Sequence, residues 1–135
     1  MIGILIVAHD PVAGSFVAAI RHVLGNVPAQ LAWLDVANDA PPDDWLDGAR
    51  RQVVQIDSGE GVLVCCDLCG ATPCNIANQL NQPGKVHVLS GLNMPMLLRA
   101  INYRDSTLND LTEKALAGGK NGVMQMKCGD VTSKN

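Results

Sequence analysis

The sequence predicts an α/β domain, doubly wound around a mainly parallel sheet with helices on both faces. Three observations predict it. Short apolar runs rich in Ile, Val and Leu alternate with longer segments of helical periodicity. Several of the runs are continuous, as suits strands covered on both faces. A proline stands at the start of each of the first four helical segments: Pro11, Pro41-Pro42, Pro73 and Pro95.

GILIVA (3–8) is the first strand. Asp10-Pro11 follows at once, with Asp10 suited to N-cap a helix and Pro11 pre-shaped for its first position. Val12, Phe16, Ile20 and Val23 recur at helical spacing up to a stop at Gly25. LAWLDV (31–36) is strand two, and Pro41-Pro42-Asp43-Asp44 opens helix two, with Trp45, Ala49, Val53 and Ile56 on its apolar face. GVLVCCDL (61–68) is strand three, and Thr72-Pro73 opens helix three through Ile76, Ala77 and Leu80. Gln82-Pro83-Gly84 is a turn into strand four, KVHVLSG (85–91). Pro95 opens helix four through Met96, Leu97, Ala100 and Ile101. STLNDLTEKALAG (106–118) is a fifth helix, with Ser106 or Thr107 as cap and Gly118-Gly119 as stop. GVMQMK (122–127) suits a short final strand, and residues 128–135 a frayed tail.

The 135 residues fit one domain, 1–135, large enough to bury a core without disulfide staples. With 47% hydrophobic and 17% charged residues the chain is globular, not disordered. A net charge of −3 with no basic patch or arginine run argues against nucleic-acid binding. MIGILIVAHD lacks a basic n-region and is broken early by His9 and Asp10, so it does not read as a secretory signal. No apolar run approaches the ~20 residues that span a bilayer. A cytoplasmic protein with reduced thiols is expected.

In open α/β sheets, ligands bind beyond the carboxyl ends of the strands. His9 ends strand one there and Asp67 ends strand three. If those strands are neighbours, the side chains can meet. A carboxylate on one imidazole nitrogen fixes the tautomer and leaves the other nitrogen as base or nucleophile. The loop after Asp67 suits an anion. Gly70 and Ala71 permit close backbone approach, Thr72 offers a hydroxyl, and the helix start offers free N–H groups. Helix one, beginning beside His9, offers a second positive end. Nucleophile, orienting carboxylate and cradle together describe a phosphohistidine site. Each piece also has a plainer reading: a structural or solvated histidine, a loop-capping aspartate, an ordinary helix entry. His22 falls on the surface face of helix one, and His87 alternates with Val86 and Val88 in strand four. Neither position suits catalysis.

Four of the five cysteines crowd into residues 65–74. Cys66 and Cys69 have the spacing of a redox or zinc pair, but zinc needs about four ligands and no second Cys or His pair matches. Cys65 and Cys66 lie in a buried strand, where a free thiol packs as a small hydrophobe. Packing is therefore favoured over redox or metal roles, and no metal or cofactor is expected.

With His9 and Asp67 singled out, nearly the whole chain resembles the IIA domain of the mannose-type (mannose/fructose/sorbose) sugar phosphotransferase system. Ala8-His9 resembles that family's strand ending in the phosphorylated histidine. GVLVCCDLCGATPCN resembles its strand-Asp-x-x-Gly-[Gly/Ala]-[Ser/Thr]-Pro-x-Asn segment. SGLNMPMLLRA resembles its Gly-x-Asn-x-Pro-Met-Leu segment, here Gly91, Asn93, Pro95, Met96 and Leu97.

The resemblance implies that His9 accepts a phosphoryl group on Nε2 from the histidine phosphocarrier protein and passes it to a IIB component. Asp67 would hold the other ring nitrogen, with Thr72 at a site Ser/Thr position. Membrane contact would come only indirectly, through IIC and IID components. It also implies four parallel strands plus one antiparallel strand, and a homodimer exchanging that terminal strand, which GVMQMK fits. Two residues depart from the pattern. Asp10 stands where glycine is common, which suits phosphate only if Asp10 turns away as an N-cap. Cys74 stands where an aromatic residue is frequent. The chain reads as a free-standing domain serving sugar uptake or its regulation. The rival readings are the phosphotransfer subunit of a dihydroxyacetone kinase, a purely regulatory phosphoprotein module, and a thiol redox protein using Cys66 and Cys69.

Overall fold

Backbone groups buried on both faces of a sheet must find partners in neighbouring strands. The continuous apolar runs do so in a computed structural model that describes residues 1–127. The strands are β1 (Gly3–His9), β2 (Leu31–Val36), β3 (Val62–Cys66) and β4 (Val86–Ser90). They form one parallel sheet in the order β2-β1-β3-β4. The helices are α1 (Val12–Leu24), α2 (Pro42–Ile56), α3 (Thr72–Asn78), α4 (Met94–Asn102) and α5 (Leu108–Asn121).

Successive strand side chains point to opposite faces, and β1 divides the core accordingly. Ile2, Ile4, Ile6 and Ala8 pack with α1, α4 and α5; Leu5 and Val7 pack with α2 and α3. Residues Ile2 to Ala8 are buried throughout, so β1 is the central strand in composition as well as position. The chain leaves β1 for β2 on one side and returns to β3 on the other. The strand order therefore reverses between β1 and β3, where an open α/β sheet forms its crevice.

Two expectations are corrected. Gly118-Gly119 does not stop α5, which continues to Asn121. A Cβ on Gly118 would lie 3.0 Å from the Arg99 Cβ, and one on Gly119 would lie 2.9 Å from the Met96 Cε. The glycines let α5 approach α4 closely, and that packing outweighs their poor helix propensity. Asn93 ties the same junction: its side chain caps α4 by accepting the Met96 N–H at 2.9 Å and donates to the Gly119 carbonyl at 3.0 Å. The cap of α5 is Thr107, accepting from the Asp110 N–H.

The second correction concerns GVMQMK. Residues 123–127 form no strand, and Val123, Met124 and Met126 are exposed. A strand exists only through its ladder, and no described segment of the same chain pairs with these residues. The tail expected at 128–135 lies outside the described residues.

Candidate functional site

Val7 is level with Cys66 across the β1–β3 pair, so His9 and Asp67 leave adjacent strands at the same edge. Their side chains meet there. The His9 Nδ1 lies 2.7 Å from the Asp67 Oδ2. The His9 backbone N–H donates to the same oxygen at 2.9 Å, and the Leu68 N–H donates to Oδ1 at 2.9 Å. Asp67 is thus fixed by two backbone donors before it meets the imidazole. A carboxylate only accepts, so the Nδ1 facing it carries the proton and Nε2 keeps its lone pair. The His9 side chain is 50% exposed and that of Asp67 only 17%, which leaves the ring open to an incoming group while its partner is shielded.

Burial of the Asp67 carboxyl acts to raise its pKa. The hydrogen bonds from the His9 N–H, the His9 ring and the Leu68 N–H, with the charge of the ring when protonated, outweigh burial and hold it below the ordinary carboxylate value. The folded pKa is therefore lower than the unfolded value of about 3.9, and below that pH the unfolded chain binds the additional proton. The stability Asp67 contributes is present at neutral pH and is lost as pH falls through its folded value. In urea unfolding, the difference between wild type and Asp67→Asn should be largest near neutrality and should shrink on acidification below about pH 4. A pH-independent difference would count against this electrostatic account.

Gly70, Ala71 and Thr72 follow Asp67 along the same edge. Gly70 has φ +90°, a conformation natural to glycine, and turns the chain into α3. Thr72 is the first residue of α3 and Ala71 holds the N-cap position, so Thr72 does not cap as expected and its exposed hydroxyl is uncommitted. The Ala71 N–H donates to the Leu68 carbonyl at 3.1 Å. Among the described residues no hydrogen bond takes the N–H of Gly70, Thr72 or Cys74. With the Cys69 N–H, which likewise has no partner among the described residues, four unpaired backbone donors cluster just after the carboxylate.

Helix α1 supplies a weaker second positive end than expected, because a carboxylate already sits against it. The helix begins at Val12 with Pro11 at the N-cap position, so Asp10 sits one residue too early to cap it. The Asp10 side chain is exposed and enters no hydrogen bond among the described residues. Asp35 of β2, level with Ala8, fills the place instead. Its carboxylate accepts the Gly14 N–H at 3.1 and 3.2 Å and offsets part of the positive charge of that helix end. A Cβ on Gly14 would lie 2.8 Å from the Asp35 Oδ2, so glycine is what makes room. Asp35 was visible in the sequence as a third acid at the carboxyl edge, within LAWLDV.

The expectation of reduced, merely packed cysteines is corrected for two of them. Cys66 and Cys74 form a disulfide, with Cα atoms 5.3 Å apart. Cys66 faces the α2/α3 layer, and the first turn of α3 sets Cys74 over the same layer. Cys69, which has redox-pair spacing from Cys66, is exposed and free. Cys65 faces the opposite layer as the packing residue expected of it, and burial pushes its thiol up to about 12.

The profile described as PTS system fructose IIA component, EIIA-man, matches residues 3–116. The chain belongs to the EIIA-man family. It is 27% identical over 130 residues to the PTS system mannose-specific EIIAB component of Escherichia coli (strain K12), covering 93% of this chain and 40% of that relative's length. It is 27% identical over 112 residues to the transcriptional regulatory protein LevR of Bacillus subtilis (strain 168), covering 80% of this chain and 12% of LevR. The crystal structure of phosphotransferase system component EIIA from Streptococcus agalactiae superposes with a TM-score of 0.83 at 27% identity, covering 93% of this chain and 97% of that one. The chain is accordingly a PTS IIA component of the mannose/fructose type. No described helix is long and apolar enough to cross a membrane.

Proposed function

We propose that His9 is the phosphoryl acceptor of this IIA domain, receiving the group from the histidine phosphocarrier protein and passing it to a IIB component. The observation that carries the reading is the 2.7 Å contact between the His9 Nδ1 and the Asp67 Oδ2 at the β1–β3 crevice, with the ring half exposed. The Nε2 lone pair attacks the phosphorus of the donor's phosphohistidine. One P–N bond forms as the other breaks, and the donor imidazole leaves with its electron pair. Asp67 holds the ring in line and offsets the positive charge that develops on it. The N–H groups of Gly70 and Thr72 and the Thr72 hydroxyl receive the phosphoryl oxygens, while the small Ala71 side chain leaves them room. The chemistry calls for neither nucleotide nor metal. The domain works in the cytoplasm as a homodimer, reaching the membrane only through IIC and IID partners.

The test is labelling by the cascade. Supplied with phosphoenolpyruvate, enzyme I and the phosphocarrier, the purified chain should gain one phosphoryl group, acid-labile as a phosphoramidate is. An acid-stable label, or none, would overturn the assignment. The likeness to LevR favours a second reading, in which phosphorylation of the same histidine controls a partner instead of feeding uptake. Neighbouring genes separate the two: membrane IIC and IID components indicate transport.

A further inference from the structure

We propose that the Cys66–Cys74 disulfide is a redox-sensitive clamp on the acceptor site, closed in the oxidised chain and opened by a dithiol. The inference rests on the His9 reading above and adds a control to it. Three placements carry it. First, the two cysteines are eight residues apart, and the loop they close contains Asp67, Gly70, Ala71 and Thr72. Every residue assigned to the site except His9 lies inside that ring. Second, α3 is only seven residues long and has no side-chain cap, so the disulfide is the covalent tie between its first turn and the end of β3. The base of the ring is itself held: the carbonyls of Cys66 and Asp67 accept the N–H groups of Leu92 and Gly91 at 3.1 and 3.2 Å. Opening the clamp therefore frees the α3 side of the loop more than the Asp67 side. Third, a cavity of about 200 Å³ is lined by Cys66, Cys74, Cys69, Gly70, Asn75 and Ser90, among others, and Cys74 is the more exposed of the bonded pair, at 6% against 1% for Cys66, so a reductant approaches the bond from the Cys74 side. Disulfides in reducing compartments are usually transient and redox-sensing.

The exchange balances. One thiolate of the dithiol attacks the Cys74 Sγ, the protein S–S bond breaks, and Cys66 leaves as thiolate and takes up a proton. The second thiolate attacks the mixed disulfide and releases Cys74, which is protonated in turn. The protein gains two electrons and two protons, and the dithiol becomes a disulfide.

The experiment equilibrates the full chain in graded ratios of reduced to oxidised dithiothreitol. Each sample is quenched in acid, alkylated in denaturant so that the buried Cys66 is counted, and weighed by mass spectrometry. Its initial rate of phosphorylation is measured with phosphocarrier phosphorylated beforehand and freed of enzyme I. Reduction should expose two further alkylatable cysteines. It should slow transfer about three- to tenfold by loosening the cradle, with the same midpoint as the thiol count. The thermal midpoint should fall by about 5–10 °C. The Cys66→Ala/Cys74→Ala double variant should show the slow rate at every ratio. The wild-type titration needs no variant, so it decides the question even where the double variant is unstable. Absence of the two-thiol step, or a normal rate indifferent to it, overturns the clamp alone. Phosphorylation in neither redox state overturns the His9 reading and the clamp with it.

Discussion

Substituting His9 by alanine is expected to abolish phosphoryl uptake from the cascade, with the initial rate falling by at least about 10³-fold. Without Nε2 there is no nucleophile at the crevice. The remaining histidines cannot substitute for it. His22 lies exposed on α1. His87 sits inside β4, level with Leu63, with its Nδ1 2.8 Å from the Thr112 hydroxyl. Neither stands at the carboxyl edge, so His22→Ala and His87→Ala should keep uptake near the wild-type rate. The fold should survive the loss of His9. Its ring is half exposed, and Asp67 keeps the two backbone donors from His9 and Leu68. The thermal midpoint should stay within about 3 °C of wild type. A folded His9→Ala chain that still became labelled would move the site elsewhere.

The reach of the sequence follows from the range of each signal. The four parallel strands and five helices were legible because apolar runs and helical spacing are local patterns, and each was strong. That His9 and Asp67 end their strands was equally local. That those strands are neighbours is a matter of topology, settled by the β1–β3 register. The misreadings share one cause. Gly118-Gly119 reads locally as a stop, but the nearness of Arg99 and Met96 makes it a helix crossing. Asp10 reads locally as a cap, yet a one-residue shift of the helix start hands that work to Asp35, whose partner Gly14 is 21 residues away. The Cys66–Cys74 spacing carries no signal until the end of β3 is known to lie beneath the first turn of α3. The strand expected at residues 122–127 reads locally from its apolar residues, but among the described residues nothing pairs with them.

Replacing Asp67 separates orientation from stability. Asp67→Ala removes the acceptor of three hydrogen bonds: from the His9 ring, the His9 N–H and the Leu68 N–H. The imidazole then rotates freely and divides its neutral form between two tautomers, one of which lacks the Nε2 lone pair. Transfer should slow by about 10²-fold, equivalent to about 2.7 kcal/mol of transition-state stabilisation. Alanine also strands two backbone donors at a partly buried position, so the thermal midpoint should fall by several degrees, roughly 3–6 °C. Asp67→Asn resolves the ambiguity. Its amide oxygen still accepts from one backbone N–H and its volume is unchanged, so the midpoint should recover most of that loss. Its neutral amide neither selects the Nδ1–H tautomer as strongly nor offsets charge on the ring, so transfer should remain at least about tenfold slow. If Asp67→Asn restored stability and transfer together, Asp67 would be a structural anchor for the β3 turn and not the residue that aims His9. Restored stability with slow transfer is the pattern that a positioning carboxylate, held first by the backbone and only then by the ring, must give.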